Sequence, residues 1–265
     1  MPRLVKRKKI LGRSSRSPER IAKVIARAGM CSRREAERWI TDGRVKIDGQ
    51  VLHSPAKTVT DFNKILIDGK PLPQILPTRL WCYYKPAGLL TTNKDPQGRP
   101  TIFETLPKNL PRLISVGRLD LNSEGLLLLT NDGNLARKLE LPSNHWRRRY
   151  RVRVRGLIDS KVLDKLKKGI IVDGVKYGSI KAELDRQKNS NAWITLSLTE
   201  GKNREVRKIL EHLAWPVSRL IRIAYGPFQL GSMTKGTIVE VKQKILHEQI
   251  GSELKQSDGN KNNRR

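Results

Sequence analysis

Asp120 stands two residues after Arg118 in the stretch VGRLDLNSEGLLLLTNDG, an acid set directly behind an arginine in a chain dominated by bases. On an extended segment residues two apart face the same side, and the apolar run Leu126 to Leu129 supplies a buried strand to anchor the turn. The arrangement suits one reactive oxygen held at the floor of a cationic groove; the bland reading is a turn or helix-cap aspartate. Other side chains able to surround one ligand lie in separate segments: Tyr150 in RRRYRVRV, Asn203, Arg204 and Arg207 in EGKNREVRKIL, and Arg219, Leu220 and Arg222 in SRLIRIAYG. No Walker A loop, GxGxxG after a strand or HExxH is present, so nucleotide-driven, redox and zinc chemistries have no motif behind them.

With 54 Lys+Arg against 25 Asp+Glu the formal charge is +29, far beyond what solubility needs and the footprint of a polyanion binder. RNA, DNA or an anionic membrane would each fit. No apolar run approaches the roughly 18 residues of a membrane span, and the first residues lack a signal-peptide core. The expectation is a cytoplasmic, monomeric protein that binds nucleic acid and not membrane. Cys31 and Cys82 stand alone without CxxC spacing, which points to neither disulfides nor zinc.

The elements that must position these residues fall into two blocks. Residues 1–17 and 246–265 are charged, poor in aromatics and read as disordered basic arms. Over 18–70, Ser17 and Pro18 predict a capped helix start and Ser32 with Glu35 a capping box for a second helix; Asp48-Gly49 and Asp68-Gly69 predict tight hairpins. This module gathers Arg33, Arg34, Arg44 and Lys46 near one edge, where a helix N-terminus can take a phosphate. Residues 71–79, PLPQILPTR, read as a semi-rigid linker, and 80–245 as a second domain. There strands outnumber helices without a regular βαβ rhythm, which predicts an α+β fold with a mainly antiparallel sheet. Thr91, Thr92 and Asn93 read as loop residues without a role.

RIAKVIARAGMCSRREAERWITDGRVKIDG resembles the S4 RNA-binding domain. KPAGLLTT, DPQGRPT, GRLDLNSEGLLLLTNDG, YRVRV, EGKNREVRKIL and SRLIRIAYG resemble, in order and spacing, the S4-linked ribosomal RNA pseudouridine synthases, and the likeness runs from about Glu19 to Val241. The resemblance implies isomerisation of uridine in rRNA, free or in a precursor particle, with no cofactor or metal. It implies Asp120 as the catalytic carboxylate, Tyr150 stacked on the target base and Leu220 closing the base's other side; Arg204 and Arg207 both stand near the start of one helix as partners for Asp120, and the match of Val206-Arg207 to the family's hydrophobic-Arg pair favours Arg207. Arg118 would hold the RNA open around the flipped nucleotide, with Arg204 and Arg222 as further RNA contacts. SEGLLLLTNDG and the block from NREVRKIL to SRLIRIAYG are most similar to members acting on large-subunit RNA. The competing reading is an RNA-binding ribosome assembly factor with subordinate or no catalysis.

Overall fold

The computed structural model describes residues 18–60 and 63–259, with the backbone alone for 252–259. The chain divides into two compact units, Met1–Leu76 and Pro77–Arg265.

In the first unit, helices α1 (Ile21–Arg27) and α2 (Arg33–Thr41) bury Ile21, Ala22, Ile25, Ala36 and Ile40 against Val45, Ile47, Ile65 and Ile67 of a four-stranded sheet. Ser32 caps α2 by accepting the Glu35 amide at 3.2 Å, as its sequence predicts. The start of α1 differs. Glu19–Arg20 are extended and pair with Thr58–Val59, so the helix begins at Ile21, and the predicted cap Ser17 lies outside the described residues. Glu19 then grips Lys23 at 2.7 Å and Arg27 at 2.5 Å, and this replaces the proline-led start. Asp48 and Asp68 both adopt φ 49°, followed by positive-φ glycines, the geometry of tight hairpin turns.

The second unit is built on a nine-stranded sheet. Its main strands are β1 (Leu80–Lys85), β2 (Glu124–Thr130), β3 (Arg148–Arg155), β4 (Ile180–Lys188), β5 (Asn191–Leu198), β6 (Val217–Tyr225) and β7 (Ile238–Glu240). They lie in the order β4-β5-β3-β6-β2-β1-β7, and only the β6–β2 pair is parallel. Every residue of β2 is buried, because Leu127 and Leu129 enter one core and Leu126 and Leu128 the other. That explains its unbroken apolar run. Where β2 meets β6, Gly125 has φ 106°, and a Cβ there would fall 2.4 Å from the Arg222 carbonyl oxygen. Only glycine allows the approach. Helices α3 (Gly133–Glu140), α4 (Ser160–Lys165) and α5 (Glu205–His212) accompany the sheet.

Two predicted boundaries need correction. The semi-rigid linker predicted over 71–79 is shorter, because its ends belong to the units themselves: Pro71 pairs with Leu66, the Leu72 amide donates to Ile65 O, and Thr78 and Arg79 bond to Asp132 and Glu240. Nor does disorder begin at 246, since helix α6 (Gln243–Gly259) buries Leu246 and Ile250 beside Leu135 and Leu139 of α3. The i, i+4 spacing puts Leu246 and Ile250 on one face of the helix, and Gln243 at its start donates to Thr78 O at 2.9 Å. Residues 1–17 and 260–265, the other parts of the predicted arms, lie outside the described residues.

Candidate active site

Asp120 sits in the turn that leads into β2, its Leu119 neighbour buried and its own side chain 37% exposed. The backbone of this turn is tied from several segments. The Thr91 hydroxyl donates to Leu119 O at 2.9 Å and the Gly88 amide to Leu121 O at 2.8 Å. Lys85, fully buried at the end of β1, donates to Ser123 O and Pro86 O, both at 2.9 Å, and to Leu121 O at 3.4 Å. Burial pushes its ammonium down to about 8, while Asp120 and Glu124 pull it upward. From α5, Arg207 Nη2 donates to Asn122 O at 2.9 Å. Among the described residues nothing hydrogen-bonds the Asp120 carboxylate itself; its nearest cation is Arg204, with Nη1 at 3.7 Å from Oδ2.

The carboxylate opens into a cleft of about 520 Å³ whose lining includes Arg118, Tyr150, Arg204, Leu220 and Arg222. The sheet's register brings these residues together. On β3, Tyr150 pairs with Arg222 of β6 and Val152 with Leu220, so the tyrosine and the leucine share the inward face. A register shift between Arg149 and Tyr150 marks a bulge there, a common device for re-aiming a side chain beside a site. Arg118 is exposed and lines the same cleft. Arg204 holds φ 51°, a left-handed conformation uncommon for any residue but glycine, at the N-terminal boundary of α5.

Three predicted placements change. The arginine within ion-pair distance of Asp120 is Arg204, not Arg207: α5 turns Arg207 inward to 7% exposure, where it bonds the carbonyls of Asn122 and Val217. Burial, then the charge of Arg204, pushes the Arg207 guanidinium down, while Asp120 pulls it back up. Arg222, expected as an RNA contact, is 3% exposed and donates through Nε to Leu126 O at 2.8 Å; its strand position turns it into the cleft floor. In the first unit Arg33, Arg34 and Lys46 are exposed, but Arg44 is already committed, bidentate to Asp68 at 3.0 and 2.6 Å and 4.7 Å from the Trp39 ring centre.

Several contributors escaped sequence reading. Thr91 clamps Leu119 despite reading as plain loop. Lys85 had one available signal, a lysine closing an otherwise apolar strand. Arg148, beside the cleft, spans the carbonyls of Thr199 and Glu200 at 2.7 and 2.9 Å and so supports the segment entering α5. Glu205 lines the cleft at 4% exposure, and burial raises its carboxyl above the usual range.

The chain thus joins a unit of two helices on a four-stranded sheet to a mixed-sheet unit whose cleft holds an exposed carboxylate. The RNA pseudouridylate synthase family matches residues 79–212 and the S4 domain residues 19–66. The chain belongs to the RNA pseudouridine synthases, isomerases, and carries an S4 domain. It is 50% identical to an uncharacterized RNA pseudouridine synthase of Rickettsia felis over 228 residues, 86% of this chain and 99% of that one. It is 44% identical to ribosomal large subunit pseudouridine synthase B of Escherichia coli O157:H7, over 80% of this chain and 75% of that protein. A crystal structure of a pseudouridylate synthase matches with a TM-score of 0.61 and 26% identity, covering 87% of this chain and 99% of that chain.

Proposed function

We propose that this protein converts one uridine of large-subunit ribosomal RNA to pseudouridine, with Asp120 as the nucleophile. The observation that carries the reading is a carboxylate that accepts no hydrogen bond among the described residues, on a turn held through its backbone and sharing one cleft with Tyr150 and Leu220. The reaction breaks the bond from N1 to C1′, turns the uracil and joins C5 to the same C1′; C5 loses a proton and N1 gains one. Nothing is oxidised and no outside group is transferred. A carboxylate suits the task because it can attack and later depart. A stacked base is out of reach, so extrusion costs ~a few kcal/mol, offset by stacking and phosphate contacts. Tyr150 and Leu220 supply the two faces for the uracil, Arg118 and Arg204 stand at the cleft for the displaced RNA, and Arg207 acts through the turn that bears Asp120. The S4 unit adds affinity through Arg33, Arg34 and Lys46. On this reading the protein works as a monomer in the cytoplasm, on free rRNA or a precursor particle.

Pseudouridine mapping across rRNA from cells with the gene, without it, and with Asp120→Asn alone tests the proposal. One large-subunit site should disappear in both altered strains. Persistence of the mark in the Asp120→Asn strain would leave the protein as an RNA-binding assembly factor, and a lost site in small-subunit RNA would overturn the substrate assignment.

A further inference from the structure

Strand β3 has a second face that the cleft does not use. Its inward side chains are Tyr150, Val152 and Val154; its outward ones are Arg149, Arg151, Arg153 and Arg155, continuing the exposed Arg147. Successive outward positions stand ~6.8 Å apart along a strand. The register widens this row into a patch, because Arg149 lies across from Ser197 and then Lys181, Arg153 from Trp193 and then Arg186, and Arg155 from Asn191 and then Lys188.

The carboxylates on the patch are already engaged: Glu183 pairs with Lys181 at 2.7 Å, and Asp185 takes Arg151 at 3.3 Å and the Thr195 hydroxyl at 3.0 Å. Among the described residues Arg147, Arg149, Arg153, Arg155, Arg186 and Lys188 have no carboxylate partner within ion-pair distance. Arg149 and Arg153 reach only the neutral amides of Gln229 and Asn191. An ordinary solvated sheet face mixes signs, whereas this strand repeats one, at a cost in repulsion that a polyanion would remove. The patch also has shape. A groove of about 220 Å³ is lined by Arg147, Arg149, Lys181 and Ser197, with Glu183 also on its wall but held by Lys181, and its two guanidinium groups and the Ser197 hydroxyl suit a phosphate. Half-exposed Trp193 carries the Arg151 guanidinium 4.9 Å from its ring centre, next to this row.

We propose that the outward face of β4, β5 and β3 is a second RNA-binding surface that takes the phosphate backbone of the substrate RNA away from the target nucleotide. It rests on RNA being the substrate, but not on which uridine is modified. Phosphate contacts of this kind raise affinity without reading sequence.

The test uses the full-length protein carrying Arg149→Ala, Arg153→Ala and Arg155→Ala together, with in vitro transcribed large-subunit rRNA as the probe and KCl as the variable. Affinity near 0.15 M KCl should fall ~10-fold, and the slope of log Kd against log salt should shrink by about 2. Thermal melting should be unchanged, since all three side chains are exposed. The triple Arg→Lys variant should keep most of the salt slope, which a folding defect would not allow. Unchanged affinity and slope in the Ala variant overturn the proposal, as does a Lys variant as defective as the Ala one. Because the readout is binding, it stands apart from the mapping experiment: loss of this surface and failure of the Asp120 reading give different results.

Discussion

Asp120 and Glu124 are carboxylates four residues apart, and the protein treats them in opposite ways. Glu124, 6% exposed at its side chain, accepts from Arg219 at 2.5 and 3.2 Å and from Tyr84 at 3.3 Å, with Lys235 at 3.2 Å. Burial pushes its carboxyl up, yet Arg219 and Lys235 together hold it below the usual range. Its oxygens are saturated. Asp120 has the reverse arrangement: the backbone around it is tied by Thr91, Gly88, Lys85 and Arg207, while its oxygens face the cleft with one guanidinium at 3.7 Å. A structural acid spends its lone pairs on the protein. A reactive acid needs a fixed carbon and free lone pairs, so its support must come through the main chain.

The largest effect that would sharpen this contrast is expected at Arg207. Arg207→Ala removes a tether of the Asp120 turn and should lower kcat ~100-fold with KM changed less than ~3-fold, whereas Arg204→Ala, at an exposed ion pair, should cost under ~10-fold. Arg207→Lys should recover only part of the loss, because an ammonium cannot span both carbonyls as the planar guanidinium does. A greater loss in Arg204→Ala than in Arg207→Ala, measured by single-turnover kinetics, would break the idea that the turn is governed through its backbone.

Glu124→Gln comes next and should act on stability. Charge removal leaves Arg219 and Lys235 unpaired, but both reach solvent, so the expected cost is ~1–3 kcal/mol in denaturant unfolding. The modification rate of the folded variant should change less than ~10-fold. A rate collapse at unchanged stability would erase the distinction between the two acids.

An effect of similar size, visible only in the pH dependence of stability, is expected at Lys85. Its folded value of about 8 lies below the ordinary 10.5, so between those pH values the unfolded chain binds more protons. Stability should therefore rise as pH climbs through that window and fall away as pH drops toward 8. The difference should be on the order of 1–3 kcal/mol across the window, and Lys85→Met should lack that part of the slope when both proteins are unfolded in urea at several pH values.

How far the sequence could be read varies by element. Strands β3 and β5 were legible to the residue, because alternating RVRVR and ITLSL patterns admit one assignment of inside and outside. Ser32 and the Asp-Gly turns were legible because each has a local reason to be where it is. Helix α6 was not, since its docking depends on Leu135 and Leu139 more than a hundred residues earlier. Arg204 and Arg207 show the same limit inside the site. Both belong to one motif, and a three-residue offset says nothing about which one turns inward. The left-handed backbone at Arg204 and the buried face of α5 decide it.

By itself the sequence determined the family and the two-unit plan, and it singled out Asp120 as the acid proposed to react, because residue types in ordered motifs carry that much without coordinates. Tertiary structure alone decided how Asp120 is held: by Lys85, Thr91 and Arg207, residues that reach its turn from separate segments. The physical reason is that hydrogen bonds to backbone carbonyls need a donor of the right reach and no particular partner side chain. Such contacts leave no paired signature along the chain, and they exist only once the sheet has brought distant segments to one place.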